Sequence, residues 1–335
     1  MASALRKPFQ AFTMTMLGES LTRLLLLLAF TASTAWAQAS QSPLPTTQDR
    51  AEGARTNDPD PGPGKELPCP QGRKQTDEAR FGRYVIRTYR WPDPEGCLQI
   101  LRSGAVVYSL VSDDFRIATN FVGGTPIPVG TDITGAGKPD AIVSEWSGGA
   151  HCCFTLHVFE LGDKFREIGR IQADHSDGAN FVVSNHDGSY EFDGNDWAFA
   201  YWRTSFMSSP APRIVLKYRK GRFRLALDLM STPNPSLAEF ATMIESVRSD
   251  DEWSSRIAHD CGQNCGVPVA LWKNMLDLMY GGHSGLAWKL LDESWPKEQE
   301  GKTAFAGQFC KRLSKSLYWR DLKELVGPCV RTANR

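Results

Sequence analysis

A histidine followed by two cysteines, His151-Cys152-Cys153, offers a thiolate nucleophile with a base close by in the sequence. A reactive thiolate needs such a base, or a positive field, to lower its pKa, and His151 and His157 are the candidates. Adjacent residues of a strand point to opposite faces, so one histidine cannot serve both thiols. The pattern therefore also fits two structural cysteines, bonded to each other or to other parts of the chain.

Two further patterns have the residue types of an active site or a metal site. Ser147-Gly148-Gly149 resembles half of a hydrolase nucleophile turn, but Glu145 stands where such a turn requires glycine. A second set of histidines and cysteines has the residue types that bind zinc. The alternative interpretation is that its cysteines form a small disulfide loop between two helices and that its second histidine lies at the surface. That set consists of His259, Cys261, Cys265 and His283.

An acidic, glycine-rich loop runs from Asp132 to Asp140 (DITGAGKPD) and leads into an apolar stretch. It resembles the loop of FG-GAP or VCBS repeats, which occur in integrin-like β-propellers and in many secreted bacterial proteins. In that family, oxygen ligands at alternate positions wrap a Ca²⁺ ion, which implies Asp132, Thr134 and Asp140 as ligands here. The fifth position is Ala136, which has no side-chain oxygen. A metal-free turn held by aspartate hydrogen bonds is therefore the alternative.

A wider pattern is similar to an uncharacterised family of exported bacterial proteins. It joins the acidic loop and its strand to the SGGAHCC turn, a second strand, and a helical tail with Tyr280-Gly281-Gly282 and Trp295-Pro296. A full propeller needs several copies of the loop, and the sequence has one good copy. The resemblance implies a class of protein and no particular activity.

Aromatic residues are dense in the stretch WAFAYW, residues 197–202, and another lies at Trp146. If the stretch is a strand, alternation places Trp197, Phe199 and Tyr201 on one face and Trp202 on the other. Such a face is either part of a sheet core or an apolar platform for a glycan or peptide. Trp146, Trp197 and Tyr201 are the candidate binding residues.

The N-terminal segment predicts export. Basic residues precede the short apolar run Leu24–Phe30, and Ala35-Trp36-Ala37 is a cleavage motif, so residues 1–37 are expected to be a signal peptide. We expect a periplasmic or secreted protein with no integral membrane segment after cleavage. The 38 basic and 38 acidic residues balance, so nothing favours nucleic acid, and the expected partner is a protein, peptide or glycan.

The cysteine count predicts disulfide bonds. An even number of cysteines in an exported chain usually forms a disulfide framework. Proximity in the sequence suggests the pairs Cys69–Cys97, Cys261–Cys265 and Cys310–Cys329, and leaves Cys152 and Cys153.

The remaining pattern predicts an α+β architecture, an antiparallel all-β domain followed by a small helical bundle. Residues 38–80 are rich in Pro and Gly and are expected to be a disordered tether. Residues 81–232 show short strands between turns, one of them at Ala198–Trp202, as in a sandwich or a partial propeller. Residues 233–335 have apolar residues every three or four positions, beginning with a helix capped by Ser236.

Together these patterns predict an exported, disulfide-stabilised binding or envelope-associated module that is not an enzyme. The alternative is a thiol, redox or hydrolytic enzyme centred on His151, Cys152 and Cys153. A third hypothesis is a structural module that depends on Ca²⁺ at the Asp132 loop.

Overall fold

The computed structural model describes residues 69, 72, 74–90, 95–117, 126–148, 153–175, 180–184, 188–254 and 266–327. The predicted signal peptide and most of the predicted tether lie outside these residues. So do several residues of the sequence hypotheses, namely His151, Cys152, His259, Cys261, Cys265 and Cys329.

The described strands form three four-stranded antiparallel sheets, and in each sheet the strands are neighbours in chain order. The first sheet contains β1 (Lys74–Phe81), β2 (Tyr84–Arg90), β3 (Gly96–Arg102) and β4 (Ala105–Ser112). The second contains β5 (Asp114–Ile117), β6 (Asp140–Trp146), β7 (Phe154–Leu161) and β8 (Phe165–Asp174). The third contains β9 (Asn180–Val183), β10 (Tyr190–Asn195), β11 (Arg213–Arg219) and β12 (Arg222–Leu225). A four-stranded meander is also the unit of a propeller blade.

The second sheet is the central layer, because both of its faces are buried. On β6, Ala141 and Val143 pack toward the first sheet, in one hydrophobic cluster with Ile86 and Leu98. Ile142, between them, packs on the other side in the cluster that includes the third sheet. Because side chains alternate along a strand, β6 contributes residues to two separate hydrophobic cores, one on each face of the second sheet.

Two hairpin tips have the conformation that their sequences favour. Ser103 and Gly104 connect β3 to β4 with φ of 50° and 84°, and Lys220 and Gly221 connect β11 to β12 with φ of 54° and 83°. Two consecutive residues with positive φ are typical of the type I′ turn, whose twist matches that of the strands it joins.

The β region begins earlier than the sequence indicates. Lys74–Phe81 forms β1, although all but its last residue falls in the range predicted as a tether. The strand is an edge strand held by backbone pairing with β2, and most of its side chains are exposed. An exposed edge strand has no buried face, so it lacks the apolar alternation that reveals other strands.

A second correction concerns residues 197–202, which form successive turns and not the predicted strand Ala198–Trp202. The amide of Ala200 donates to the Trp197 carbonyl at 2.9 Å, and that of Trp202 donates to the Phe199 carbonyl at 3.0 Å. The side chains therefore do not alternate between two faces. Phe199 and Trp202 contact each other, with ring centroids 5.0 Å apart.

Helices follow the sheets, as the sequence predicts. They are α1 (Leu227–Met230), α2 (Leu237–Arg248), α3 (Val269–Tyr280), α4 (Ser284–Ser294), α5 (Lys302–Leu313) and α6 (Trp319–Val326). Ser236 caps α2 in a reciprocal capping box with Glu239, and Pro268 is the N-cap of α3. None of the described helices is both long and apolar enough to cross a membrane.

The helices share their hydrophobic core with the second and third sheets. One cluster joins Leu156 of β7 and Phe192 of β10 to Trp272 of α3 and Phe309 of α5. The described residues of the ranges 81–232 and 233–335 thus share one hydrophobic core, in addition to the core between the first and second sheets. The predicted α+β class, antiparallel sheets followed by helices, is confirmed.

Disulfide bonds involve each of the four described cysteines. Cys69 is bonded to the fully buried Cys97 of β3, as predicted. Cys153 and Cys310 are also disulfide-bonded. Cys153 therefore has no thiol available as a nucleophile in this structure.

Candidate functional site

The strands of the second sheet place the candidate residues at two opposite ends. At one end Asp140 pairs with Glu160, which pairs with Arg166. At the other end Trp146 pairs with Phe154, which pairs with Asp174. The acidic loop belongs to the first end, and Ser147, Cys153 and the candidate aromatic residues belong to the second.

The Asp132–Asp140 loop is closed by its two aspartates. The Asp132 carboxylate accepts hydrogen bonds from the amides of Ala136 (3.1 Å) and Gly137 (2.7 Å). One oxygen of Asp140, Oδ2, accepts from the amides of Ile133 (3.0 Å) and Thr134 (3.1 Å) and from the Thr134 hydroxyl (3.2 Å). The loop is thus a pair of aspartate turns, in which carboxylates bind the N–H groups of their own backbone.

The donor set of this loop does not fit a Ca²⁺ ion. Ca²⁺ takes six to eight oxygen ligands, but both Asp132 oxygens and Asp140 Oδ2 already face N–H groups. Asp140 Oδ1 is the buried oxygen without a hydrogen bond, and one such oxygen suits a water molecule better than a cage. Among the described residues, no group of three or more His, Cys, Asp or Glu side chains could hold a metal.

Burial raises the pKa of Asp140 to about 6, although the hydrogen bonds from Thr134 and Ile133 act in the opposite direction. A folded-state pKa above the ordinary value of 3.8 means that this group stabilises the fold in acid. The contribution is present below pH 3.8 and is lost as the pH rises through about 6.

We expect EDTA to leave the melting temperature unchanged, because both oxygens of the Asp132 carboxylate accept hydrogen bonds from the amides of Ala136 and Gly137. Asp132→Ala should lower the free energy of unfolding by about 1 kcal/mol, the usual value of a lost side-chain cap, with or without EDTA. Thermal melts of both proteins in EDTA and in CaCl₂ measure this. A chelator-sensitive melt that Asp132→Ala abolishes would show that the loop holds calcium.

Ser147 and Cys153, the first and last residues of the SGGAHCC motif, are joined by hydrogen bonds. The Ser147 amide donates to the Cys153 carbonyl at 3.1 Å, and the Cys153 amide donates to the Ser147 hydroxyl oxygen at 2.9 Å. The Ser147 hydroxyl is therefore bound to backbone and has no histidine beside it among its described partners. Its place in the structure is that of a turn residue.

A buried charge network lies on the face of the second sheet that packs against the first. His157 is fully buried, and its Nε2 lies 2.7 Å from Glu145 Oε2 while its Nδ1 lies 2.9 Å from Glu167 Oε1. An ionised carboxylate only accepts hydrogen bonds, so both ring nitrogens donate and the ring is an imidazolium. Glu145 also accepts from the Ser112 hydroxyl of β4, and Glu167 accepts from Arg170 at 3.1 Å.

The carboxylates control the titration of His157. Burial lowers its pKa, but the hydrogen bonds to Glu145 and Glu167 outweigh burial and raise the pKa above the ordinary value. Burial raises the pKa of each glutamate, and His157 outweighs it and holds both pKa values below their ordinary value. With both nitrogens occupied, His157 cannot act as a base for a cysteine.

An aromatic cluster forms at the other end of the sheet from His175, Trp197, Tyr201 and Phe206. The Trp197 ring stacks on Phe206 at 5.3 Å, and Tyr201 lies 5.5 Å from Phe206. His175 lies 5.3 Å from Trp197 and 4.9 Å from Phe206. The structure thus brings together two of the three predicted binding residues and adds two that the sequence did not indicate.

The cluster is partly exposed, since His175, Trp197 and Phe206 are half-buried. Tyr201 is 49% exposed and Met207, beside Phe206 in the chain, is 91% exposed. The indole Nε1 of Trp197 is buried and makes no hydrogen bond with the part of the chain that the structure describes. Trp146, the third predicted residue, is half-buried at the same end of the second sheet, two strands from Asp174.

Unusual backbone conformations support the cluster. The structure describes five non-glycine residues with positive φ, of which Ser103 and Lys220 are hairpin tips. The other three, Asp174, Tyr201 and Arg203, lie in or next to the cluster. Such conformations cost about 1–3 kcal/mol each and persist where the surroundings impose them, often at functional sites.

Hydrogen bonds and helix contacts impose this conformation. The Ser209 hydroxyl accepts from the Tyr201 amide at 2.8 Å and donates to the Ser205 carbonyl at 2.9 Å, which folds the segment back on itself. From α5, Arg312 donates to the Ala200 carbonyl at 3.1 Å. The same helix contributes Phe309, whose ring lies 5.1 Å from Phe199. The segment is thus fixed on its inner side.

Some residues of these sites can be predicted from the sequence. Trp197 and Tyr201 were indicated by aromatic density, whereas Phe206 stands in a Ser- and Pro-rich stretch typical of loops and His175 follows a strand end. Charged residues inside a predicted strand, such as Glu145 and Glu167, were the available signal for the buried network, since a strand between two layers is expected to be apolar.

Comparison of the chain with protein-family models, with curated proteins and with solved structures gave no match. The resemblance to FG-GAP repeats therefore remains a prediction from the Asp132–Asp140 loop.

Proposed function

We propose that this protein is an exported, disulfide-stabilised binding module, and that the cluster of His175, Trp197, Tyr201 and Phe206 is its ligand-binding surface. The proposal rests on one observation: the exposed side chains of Tyr201 and Met207 lie on a backbone that hydrogen bonds fix from its inner side. A preorganised surface binds more tightly because it loses little conformational freedom on binding. Export, to the periplasm or the medium, follows from the predicted signal peptide.

A glycan is the ligand class that this surface supports best. One face of a pyranose ring carries C–H groups and packs flat on an aromatic ring, while its hydroxyl groups reach polar neighbours. Tyr201 supplies an exposed ring, and the hydroxyl-bearing Ser205 and Ser208 are exposed beside it. Tyrosine and tryptophan suit such contacts, because each combines an apolar ring with one polar group that can bind a hydroxyl or water. A peptide is the alternative partner.

We expect Tyr201→Asn to weaken glycan binding about tenfold, the effect of losing about 1.4 kcal/mol of ring contact. Asparagine tolerates the positive φ of 56° at this position, so the substitution removes the ring without adding backbone strain. Tryptophan fluorescence, titrated with N-acetylglucosamine oligomers and with soluble cell-wall glycan, measures the affinity.

Lys220→Asn is the matched control, because Lys220 is an exposed residue with a similar φ of 54° at a distant hairpin tip. It should leave the affinity unchanged. Equal affinities for all three proteins would contradict the proposed surface, and binding of peptides but not glycans would reassign the ligand class.

The alternative function is an enzyme centred on His151, Cys152 and Cys153, of which His151 and Cys152 lie outside the described residues. The disulfide bond of Cys153 and the hydrogen bonds of its backbone to Ser147 support a structural role. Thiol counting on the native protein separates the two functions. A reactive thiol whose alkylation stops turnover of a cell-wall or peptide substrate would favour the enzyme.

A further inference from the structure

An open groove of about 770 Å³ lies at the end of the second sheet where Asp140, Glu160 and Arg166 pair. Its walls are the β1–β2 turn, the last part of the acidic loop and the β7–β8 turn, which comprise residues 81–84, 138–139, 160–164 and 166. The aromatic cluster lies at the opposite end of the same strands. The groove is therefore a separate feature, and its function is independent of the function proposed above.

The lining of the groove is positively charged. It has four cationic side chains and two carboxylates, so two positive charges are in excess; the cations are Arg83, Lys138, Lys164 and Arg166, and the carboxylates are Glu160 and Asp163. The protein as a whole has equal numbers of basic and acidic residues. The groove is thus a local concentration of positive charge and not a consequence of the composition.

Glu160 fixes two of the cations side by side. Its carboxylate oxygens lie 3.0 Å from Lys138 Nζ, and Oε2 lies 2.8 Å from Arg166 Nη2. The Glu160 side chain is 7% exposed, whereas Lys138 and Arg166 are 47% and 55% exposed. One buried carboxylate therefore orients two cationic groups that remain accessible to a ligand.

The other two cations are available for a ligand. Lys164 is exposed and makes neither a hydrogen bond nor an ion pair with the described residues. Arg83 pairs with Asp163 at 2.7 Å, but the Asp163 side chain is fully exposed, and such surface pairs contribute little. The Arg83 guanidinium can thus turn toward an anion at small cost.

The backbone of the groove is fixed by hydrogen bonds from both sides. The Leu161 amide donates to the Pro139 carbonyl at 2.7 Å, and the Asp140 amide donates to the Thr131 carbonyl at 3.0 Å. On the other wall, the Tyr84 hydroxyl donates to the Gly162 carbonyl at 2.8 Å. These bonds fix the backbone that follows Lys138.

We propose that this groove binds a phosphomonoester, with the phosphoryl group between Lys138, Lys164 and Arg166. A phosphomonoester carries a charge of about −1.5 to −2 near pH 7 and three acceptor oxygens, which match several convergent donors better than a single carboxylate does. Guanidinium groups also bind phosphate oxygens in pairs. The half-exposed ring of Phe81 and the Pro139 ring form an apolar wall for the body of the ligand.

Calorimetric titration of the purified protein with glucose 6-phosphate tests the proposal. We expect saturable binding that weakens as salt is added, and that glucose does not reproduce. Lys164→Ala should weaken binding about tenfold, the effect of one lost charge-assisted hydrogen bond. Because Lys164 has no partner in the described structure, this variant is expected to fold normally. Lys138→Ala should have a similar effect.

Lys297→Ala is the matched control, since Lys297 is an exposed lysine outside the groove, and it should bind glucose 6-phosphate as the unaltered protein does.

Vesicles of phosphatidylcholine with phosphatidic acid test whether the phosphomonoester belongs to a lipid. Vesicles with phosphatidylglycerol, a phosphodiester, should not bind. Saturable binding of glucose 6-phosphate or of phosphatidic acid vesicles that Lys164→Ala weakens supports the proposal. It is overturned by absence of binding to both, by equal binding of phosphatidylglycerol, or by an equal loss in Lys297→Ala. Tyr201→Asn should leave this binding unchanged.

Discussion

His157→Leu is expected to lower the free energy of unfolding by about 4 kcal/mol at pH 6, the usual cost of removing one partner from a buried ion pair. The substitution leaves two glutamates, Glu145 and Glu167, whose side chains are only 18% and 19% exposed. Each loses its charge-assisted hydrogen bond to the imidazolium. Ser112 and Arg170 still contact them, but these contacts cannot replace the buried positive charge between them.

The pH dependence of this effect has a definite sign. The pKa of His157 is above its ordinary 6.5, so its contribution is complete below pH 6.5 and is lost as the pH rises through the folded-state pKa. The pKa values of Glu145 and Glu167 are below 4.5, so their contribution is complete above pH 4.5 and is lost in stronger acid. The network therefore stabilises most between pH 4.5 and 6.5.

Urea unfolding of the native protein and of His157→Leu, from pH 4 to pH 9, measures this contribution. The difference between the two proteins should be greatest near pH 6 and should shrink toward the alkaline end. His283→Leu is the matched control, because His283 contacts a neutral backbone carbonyl of Thr232 at 2.8 Å. It should cost about 1 kcal/mol or less. A His157→Leu effect no larger than this control, or one that does not change with pH, would contradict an ionised network.

Much of the fold follows from local patterns. Turn residues mark the hairpins at Ser103-Gly104 and Lys220-Gly221, and Ser236 with Glu239 marks the start of α2. Strands with a buried face are visible from apolar residues, as in Ala141–Val143. These signals lie within a few neighbouring residues, which is why the sequence predicts antiparallel sheets followed by helices.

The rest depends on contacts that are distant in the sequence. β1 has no apolar face of its own, and backbone pairing with β2 makes it a strand. The stretch 197–202 has the aromatic residues of a strand, but α5 holds Ala200 and Phe199 in a series of turns. In both places the tertiary environment overrides the local preference.

The candidate sites also combine residues that local sequence indicates with contacts that only the tertiary structure brings together. Aromatic density indicated Trp197 and Tyr201, and their proximity to Phe206 and His175 requires the turns that the sequence does not show. The Glu145–His157–Glu167 network combines three strands, so it needs the register of all three. The sequence could identify Glu145 and His157 as unusual strand residues but could not place them together.

A second large effect is expected at Asp196, a buried carboxylate between the sheets and the helices. Asp196 is 3% exposed and accepts hydrogen bonds from the Tyr280 hydroxyl at 2.6 Å and the Ala198 amide at 2.9 Å, as well as from the Ser316 hydroxyl. Tyr280 ends α3 and Ser316 lies between α5 and α6. One side chain thus joins the end of β10 to two parts of the helical region.

Asp196→Ala should lower the free energy of unfolding by about 4 kcal/mol, because two buried hydroxyls and the half-buried Ala198 amide lose their acceptor, and each lost buried partner costs about 1–3 kcal/mol. Burial raises the pKa of Asp196, and the hydrogen bonds from Ser316 and Tyr280 only partly oppose it. The substitution also removes this unfavourably buried carboxylate. The expected loss of stability is therefore smaller than the sum of the costs of the three lost hydrogen bonds. Asp193→Ala on β10, just before Asp196 in the chain, is the matched control, as Asp193 forms an exposed ion pair with Arg213. It should cost about 1 kcal/mol at most.

A double-mutant cycle with Tyr280→Phe tests the bridge itself. Alone, Tyr280→Phe should cost about 1 kcal/mol, but in Asp196→Ala it should cost almost nothing, because a hydroxyl that has lost its acceptor is better removed. Additive effects would show that the two side chains do not interact, which would contradict the bridge. Since Asp196 also accepts from Ala198, at the start of the aromatic segment, its loss should weaken glycan binding together with stability. Tyr280→Phe leaves that contact intact and should reduce stability only, which separates the support of the binding surface from the attachment of the helices.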